Sequence, residues 1–278
     1  MVIACIFAGQ LLLAADVPST KARAETAPTP VELPRTESFT LKAKASNYEI
    51  RVALPRNYAA RTERFGLVVL LDADYSFAIA RNVVEHLSDR DGIQELIVVG
   101  VGYADNAYPR EYRVNRTRDY TPVYSADGYP NGIQDVSGGG PTFLQFIANE
   151  LIPALEARYR LADNNRALVG HSYGGLFGAF ALLTRPELFQ RYVLVSPSLW
   201  YADNFIATLE QKLRQTRKAT TANVFIAVGA EEPKRMLDTA KAFDASLRNY
   251  ANVTTALRIM PEDDHDSVFP GALTRGLI

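Results

Sequence analysis

Apolar runs of strand length alternate with helical patterns along this chain, and this alternation predicts an α/β fold. Four runs are apolar throughout, as strands buried on both faces of a parallel sheet must be: 65–71, 96–101, 192–195 and 224–228. Apolar residues at helical spacing fill 142–158 and 234–250. We therefore expect a mostly parallel, doubly wound sheet with helices on both faces, and a ligand site at the carboxyl ends of its strands.

The other segments either extend this sheet or interrupt it. Residues 38–45 and 48–54 alternate apolar and polar side chains, which indicates two antiparallel strands, and a last strand is expected at 253–260. Pro153 should kink the helix in which it stands. Residues 103–140 show no regular pattern but carry six tyrosines and four arginines. These residue types suit a pocket for an aromatic or anionic ligand. A loop packed on its own tyrosines, with Arg118 paired to Asp119, fits equally well.

Composition excludes several classes of function. The chain has 278 residues, of which 47% are hydrophobic, so one domain spanning 36–278 can bury a sizeable core. A net charge of −1 gives no basic field for nucleic acid, so we expect no nucleic-acid partner. One cysteine and three histidines give no metal-ligand set, and Gly100 and Gly102 lack the third glycine of a dinucleotide site. We therefore expect neither a metal nor a cofactor.

The N-terminal residues have the composition of an export signal. Residues 1–15 are apolar apart from Gln10, too short to span a bilayer, and Ala22-Arg23-Ala24 offers a cleavage pattern. We predict a signal peptide over 1–24 and a flexible lead-in over 25–35. The mature protein is then expected to be exported, in the periplasm, without a stable membrane span.

A short motif in the middle of the chain predicts a nucleophilic serine. Gly170-His171-Ser172-Tyr173-Gly174 lies between an apolar strand at 167–169 and an apolar helix at 176–183. A serine in such a tight strand-to-helix turn is pushed out above the sheet, and both glycines are expected to let strand and helix approach. The N–H of Tyr173 opens the helix, where it can stabilise a developing oxyanion.

The serine needs a base and an orienting acid, and the sequence offers both in the expected order. His265 follows the last predicted strand and is the only histidine downstream of Ser172. Glu231 and Glu232 both follow the strand at 224–228, and we favour Glu232 because it stands third after the strand-ending glycine, with a proline next to it. The second oxyanion donor is expected to be the N–H of Asp74, with Ala73 and Tyr75 as alternatives.

Several motifs together resemble the putative-esterase (esterase D-like) branch of the α/β-hydrolases. Within it, the chain is similar to bacterial trilactone siderophore esterases that open ferric enterobactin. The motifs are Leu70-Leu71-Asp72-Ala73-Asp74, Arg116-Thr117-Arg118-Asp119-Tyr120-Thr121-Pro122, Gly170-His171-Ser172-Tyr173-Gly174-Gly175, Ser196-Pro197-Ser198-Leu199-Trp200, Gly229-Ala230-Glu231-Glu232-Pro233 and His265-Asp266-Ser267-Val268. One departure is Ala73, which stands where the family usually has glycine beside the oxyanion hole.

The resemblance implies the α/β-hydrolase fold and the roles of single residues. Ser172 and His265 carry over as nucleophile and base, and Glu232 falls on the position of the supporting acid. Arg116 and Arg118 match a segment beside the ferric catecholate in siderophore esterases, with Tyr120 as a further substrate contact. Trp200 would line the acyl pocket.

These observations predict a serine carboxylic-ester hydrolase that works through an acyl-enzyme on Ser172 and takes a small-molecule ester. A ferric siderophore lactone is the most specific substrate hypothesis. Three alternatives stay open: an acetyl, feruloyl or general acyl esterase, an acyltransferase on the same fold, and a non-catalytic protein that binds a ligand in the same cleft.

Overall fold

A computed structural model describes Ala27 and residues 29–104, 110–214 and 221–278. The predicted signal peptide lies outside these residues, as do residues 25, 26 and 28 of the predicted lead-in. Leu33–Ile278 forms one compact unit, and the described strands and helices lie within it.

Eight strands form one sheet, in the order β1-β2-β4-β3-β5-β6-β7-β8. The strands are β1 (Thr36–Lys42), β2 (Asn47–Ala53), β3 (Phe65–Leu70), β4 (Leu96–Tyr103), β5 (Leu161–His171), β6 (Arg191–Val195), β7 (Ala222–Gly229) and β8 (Val253–Met260). The β1–β2 and β2–β4 pairs are antiparallel, and every other pair is parallel. The predicted mostly parallel sheet is confirmed.

Helices cover both faces of the sheet. They are α1 (Ala73–Ser88), α2 (Arg110–Tyr120), α3 (Gly140–Phe146), α4 (Ile152–Arg158), α5 (Tyr173–Thr184), α6 (Tyr201–Arg214), α7 (Lys234–Leu247) and α8 (Val268–Leu277). The alternation along β3 shows the two layers: Leu67 and Val69 pack with α3 to α7, whereas Val68 and Leu70 pack with α1 and α8. All six residues of β3 are buried, which explains its continuous apolar sequence.

One local prediction needs correction, and a second gains detail. The segment predicted as irregular contains α2, and its pattern escaped detection because the buried face is polar, with Arg116, Thr117 and Asp119 inside. At the predicted kink, Pro153 lies at the start of α4, directly after a π-helical turn, Ile147–Leu151, that separates α3 from α4. A π-helical turn is one of the usual sites at which a helix bends. None of the helices in the described ranges is long and apolar enough to cross a bilayer.

Candidate active site

Ser172 occupies a strained turn between β5 and α5. Its φ of 60° and ψ of −118° lie in a region that non-glycine residues rarely adopt. The Ser172 N–H donates to the Val195 carbonyl of β6 at 2.9 Å, which fixes the turn against the neighbouring strand. This geometry is that of a nucleophile elbow.

The close approach of strand and helix depends on Gly170, as expected, but not on Gly174. A Cβ on Gly170 would lie 2.2 Å from the Gly174 carbonyl oxygen, whereas a Cβ on Gly174 would meet nothing closer than 3.5 Å. The second crowded position is Gly175, where a Cβ would lie 2.9 Å from Pro197. The prediction that both outer glycines of the motif are sterically required is therefore half wrong.

A carboxylate orients the imidazole of His265. His265 Nδ1 lies 2.8 Å from Glu232 Oε2. Glu232 Oε1 accepts the Gly229 N–H at 3.0 Å and also a hydrogen bond from the Ser196 hydroxyl. Burial acts to raise the pKa of Glu232, but the hydrogen bonds from His265, Ser196 and Gly229 outweigh it, and the pKa lies below its ordinary value. An ionised Glu232 places the proton of a neutral His265 on Nδ1 and leaves Nε2 as a base.

The neighbouring carboxylate, Glu231, is exposed, and the described hydrogen bonds give it no contact with His265. Its N–H donates to the Asp263 carbonyl at 3.0 Å, so it helps to hold the loop that carries His265. Of the two glutamates that the sequence offered, Glu232 is the one beside the imidazole.

Ser172 and His265 line one open cavity of about 540 Å³ above the sheet. The other lining residues are Asp74, Tyr75, Ile79, Tyr112, Arg113, Arg116, Tyr129, His171, Asp266, Phe269 and Pro270. Within the described part of the chain, hydrogen bonds join His265 to Glu232 and to His171, and none joins its ring to the Ser172 hydroxyl. In unliganded active sites this contact is often long and shortens only when substrate is bound.

Asp74, the residue expected to supply the second oxyanion N–H, follows the turn between β3 and α1. Asp72 has φ 56° and ψ 51°, and α1 begins at the next residue. The N–H of Tyr75 donates to the Asp72 carbonyl at 3.3 Å, so this alternative donor is engaged within the helix. Ala73 and Asp74 stand in the first turn of α1, at the positive end of the helix dipole. Tyr173 stands at the corresponding end of α5.

A buried ion pair supports this turn from behind. Arg116 donates to the Asp72 carboxylate through Nε at 3.0 Å and Nη2 at 3.1 Å, and both side chains are almost fully buried. The Tyr112 hydroxyl donates to the same carboxylate at 2.6 Å, and Arg116 Nη1 donates to the Tyr129 hydroxyl at 3.2 Å. Arg116 therefore borders the cavity, but its charge is already neutralised by Asp72.

A family model described as "Putative esterase" matches residues 42–275, which is most of the chain. The chain belongs to the putative esterase family. The siderophore triacetylfusarinine C esterase of Aspergillus fumigatus is 28% identical over 288 aligned residues, covering 90% of this chain and 94% of that protein. The ferri-bacillibactin esterase BesA of Bacillus subtilis is 26% identical, with coverages of 88% and 89%.

Solved structures agree with this assignment. An IroE-like serine hydrolase from Shewanella oneidensis superposes with a TM-score of 0.77 and 28% identity, covering 87% of this chain and 78% of that one. The family and these relatives identify a carboxylic ester hydrolase with the α/β-hydrolase fold. They favour that activity over the acyltransferase and the non-catalytic binding protein.

Three of the predicted substrate contacts in this esterase lie outside the cavity. Arg118 donates to Asp119 at 2.7 and 2.9 Å and points to another surface. Tyr120 is fully buried, and its hydroxyl accepts the Asp72 N–H at 3.1 Å. Trp200 is held by α7, where its Nε1 donates to the Met236 sulfur at 2.9 Å. The predicted roles of these residues relied on position in a motif, whereas the direction of each side chain depends on α2 and α7.

The sequence reasoning also missed residues that line the esterase cavity. His171 was read only as part of the serine motif, and Tyr75 only as an alternative backbone donor. Arg113 was one of four arginines in the segment, and only the helical course of α2 shows that it faces the cavity, as Arg116 does. The described residues contain no group of His, Cys, Asp or Glu side chains arranged for a metal ion.

Proposed function

We propose that this protein is a serine esterase in which Ser172, His265 and Glu232 form the catalytic relay. His265 Nε2 takes the hydroxyl proton while Oγ attacks the ester carbonyl carbon, and the N–H groups of Tyr173 and Asp74 stabilise the oxyanion. His265 then protonates the leaving alkoxide, and water hydrolyses the acyl-enzyme by the same route. The observation that supports this proposal best is the hydrogen bond between Glu232 and His265, because His265 lines the same cavity as Ser172.

We propose an iron-binding siderophore as the ester substrate. The similar proteins from Aspergillus fumigatus and Bacillus subtilis are named as siderophore esterases. The cavity suits a large aromatic anion, because three tyrosine rings (Tyr75, Tyr112 and Tyr129) surround it. Arg113 is exposed at its edge, with the guanidinium 5.9 Å from the centre of the Tyr129 ring.

Assays with the purified full chain test the relay and the substrate together. We expect hydrolysis of p-nitrophenyl butyrate and of ferric enterobactin, with the linear products identified by mass spectrometry. Ser172→Ala should abolish both reactions and labelling by a fluorophosphonate probe. Ser246→Ala, on α7 and outside the cavity, is the matched control. Full activity of Ser172→Ala would exclude the relay. Cleavage of simple esters but of no siderophore would exclude only the substrate class.

Arg113 provides a separate test of substrate charge. Arg113→Gln should raise KM for the anionic ferric siderophore up to about five-fold and leave KM for the neutral p-nitrophenyl ester unchanged, since one exposed charge contact contributes at most about 1 kcal/mol. Arg110→Gln removes the same charge from the same helix at a position outside the cavity, so both KM values should stay constant. Equal effects of the two substitutions would contradict a specific role for Arg113.

We also propose that the protein is exported to the periplasm with its first 24 residues removed. The apolar run and the Ala22-Arg23-Ala24 pattern support this proposal. Expression of the full chain in a Gram-negative host should give a periplasmic product whose mass corresponds to a start at Glu25. A cytoplasmic product of full mass would contradict it.

A further inference from the structure

The side chain of His171 connects two loops of the active site. Its Nε2 lies 2.8 Å from the main-chain carbonyl oxygen of His265, and its Nδ1 lies 3.0 Å from the Tyr75 hydroxyl. Tyr75 belongs to the first turn of α1, beside the candidate oxyanion donors, and His265 lies between β8 and α8. One imidazole thus joins the loop of the candidate oxyanion hole to the loop of the candidate base.

The two partners determine the protonation state of this ring. A carbonyl oxygen only accepts, so Nε2 must carry a proton and donate it to His265. A neutral imidazole then has an unprotonated Nδ1, which accepts the hydroxyl proton of Tyr75. A protonated ring would set two donors, Nδ1–H and Tyr75 O–H, toward each other unless the hydroxyl turned away.

The surroundings of His171 also favour the neutral ring. Its ring centre lies 4.7 Å from that of His265 and 5.8 Å from that of Phe269. Arg116 approaches from α2, with Nη2 3.4 Å from the His171 carbonyl oxygen. Burial, followed by repulsion from His265 and Arg116, lowers the pKa of His171 to about 4, against the opposing effects of Asp72 and of the hydrogen bond to the His265 carbonyl.

We propose that His171 and Tyr75 are positioning residues that hold the main chain of His265, so that its imidazole points toward Ser172. This inference rests on the proposed catalytic relay and assigns to it two residues that do not themselves touch the reacting atoms. Glu232 fixes one edge of the His265 ring through Nδ1. His171 fixes the backbone from which that ring projects, so the two contacts together define where Nε2 lies.

The His265 loop needs such a contact because it is short of regular structure. It follows Glu262, which has φ 62°, and ends at the start of α8. Its own hydrogen bonds, such as Ser267 N–H to Asp264 Oδ1 at 2.9 Å, lie on the exposed side. The bond from His171 reaches the loop from the cavity side, at the residue that must be aligned.

Two amide substitutions separate the two ends of the contact. The nitrogen of a glutamine side chain reaches about as far as Nε2 of histidine, whereas that of asparagine reaches only about as far as Nδ1. His171→Gln can therefore keep the bond to the His265 carbonyl, and His171→Asn cannot. We expect kcat for p-nitrophenyl butyrate to fall about ten-fold in His171→Asn with KM unchanged, and less than three-fold in His171→Gln, because one positioning hydrogen bond contributes roughly a factor of ten.

Tyr75→Phe removes only the bond to Nδ1 and should lower kcat by a smaller factor than His171→Asn. Equal kcat in wild type, His171→Asn and His171→Gln would overturn the inference. Melting temperatures of all variants show whether a loss of kcat reflects loss of fold. In the same assay, Ser172→Ala tests the relay itself. An active Ser172→Ala would refute the proposed function, whereas wild-type kcat in His171→Asn would refute only this inference.

A spectroscopic measurement on the wild-type protein needs no variant to stay folded. The chain has three histidines, so the ring ¹⁵N signals of His171 can be assigned with single substitutions of the other two. We expect a neutral Nε2–H tautomer near pH 7 that persists to about pH 5. A ring protonated at Nδ1 under these conditions would refute the inference, whatever the kinetics show.

Discussion

Replacing Glu232 by glutamine tests the orienting carboxylate most directly. The three groups around it are all donors: His265 Nδ1 and Gly229 N–H, at 2.8 and 3.0 Å, and the Ser196 hydroxyl. Glutamine has one oxygen and one NH₂, so in either orientation its amide sets a donor against a donor. If the NH₂ faces His265, a charge-assisted hydrogen bond worth about 2–3 kcal/mol is lost. We therefore expect kcat/KM to fall roughly 30- to 150-fold.

The adjacent carboxylate is the matched control. Glu231→Gln removes the same charge one residue away, on an exposed side chain without a described contact to His265, and should leave kcat/KM within about two-fold. Both variants are assayed with p-nitrophenyl butyrate at 25 °C, and their thermal unfolding is followed by circular dichroism. An unsatisfied buried donor should lower Tm of Glu232→Gln by about 5 °C, which leaves the protein folded in the assay. A large loss in Glu231→Gln together with an active Glu232→Gln would refute the assignment of the acid.

Two further predictions concern stability. Gly170→Ala should destabilise the fold by more than about 3 kcal/mol in urea unfolding, because its Cβ would lie 2.2 Å from a main-chain oxygen of α5; Gly102→Ala, with its nearest contact at 3.5 Å, should cost under about 1 kcal/mol. A mild Gly170→Ala would mean that β5 and α5 can separate. The second prediction follows from the pKa of His171, which folding lowers from 6.5 to about 4. As pH falls through this window the unfolded chain takes up a proton that the folded chain does not, so stability decreases. Between about pH 7.5 and pH 5 the wild type should lose up to about 2 kcal/mol more than His171→Gln, which has no titrating ring. Parallel pH profiles of unfolding would contradict a neutral, half-buried His171.

Much of the sheet could be predicted from the sequence because β3, β4, β6 and β7 are mostly buried and therefore read as apolar runs. The bounds of β8 were predicted as observed, and β3, β4, β6 and β7 within two residues at either end. Helix α2 was not predicted, because its buried face is not apolar. Its inner face packs through an ion pair and hydrogen bonds, and such contacts leave no apolar period in the sequence.

Some residues of the candidate site could be predicted from the sequence and others could not. Ser172, Glu232 and His265 follow strands or open helices, so chain order was enough to bring them to one edge of the sheet. Arg118 and Tyr120 stand within a helix, where one position is a rotation of about 100°, and the motif carried no information on which way they faced. His171 was missed because its partner is a main-chain carbonyl, and the sequence does not show where a carbonyl will lie.

Helix α2 has two separate roles: its buried face anchors the turn before the candidate oxyanion donors, and its exposed face borders the cavity. Asp72 and Arg116 bind this helix to the turn that precedes the candidate oxyanion donors, while Arg113, one turn earlier on the same helix, faces bulk water at the rim of the cavity. A mutation at the outer position can change which esters are accepted without disturbing the inner anchor. Substrate preference can therefore change through substitutions on the exposed side of one short helix, while the catalytic residues keep their positions.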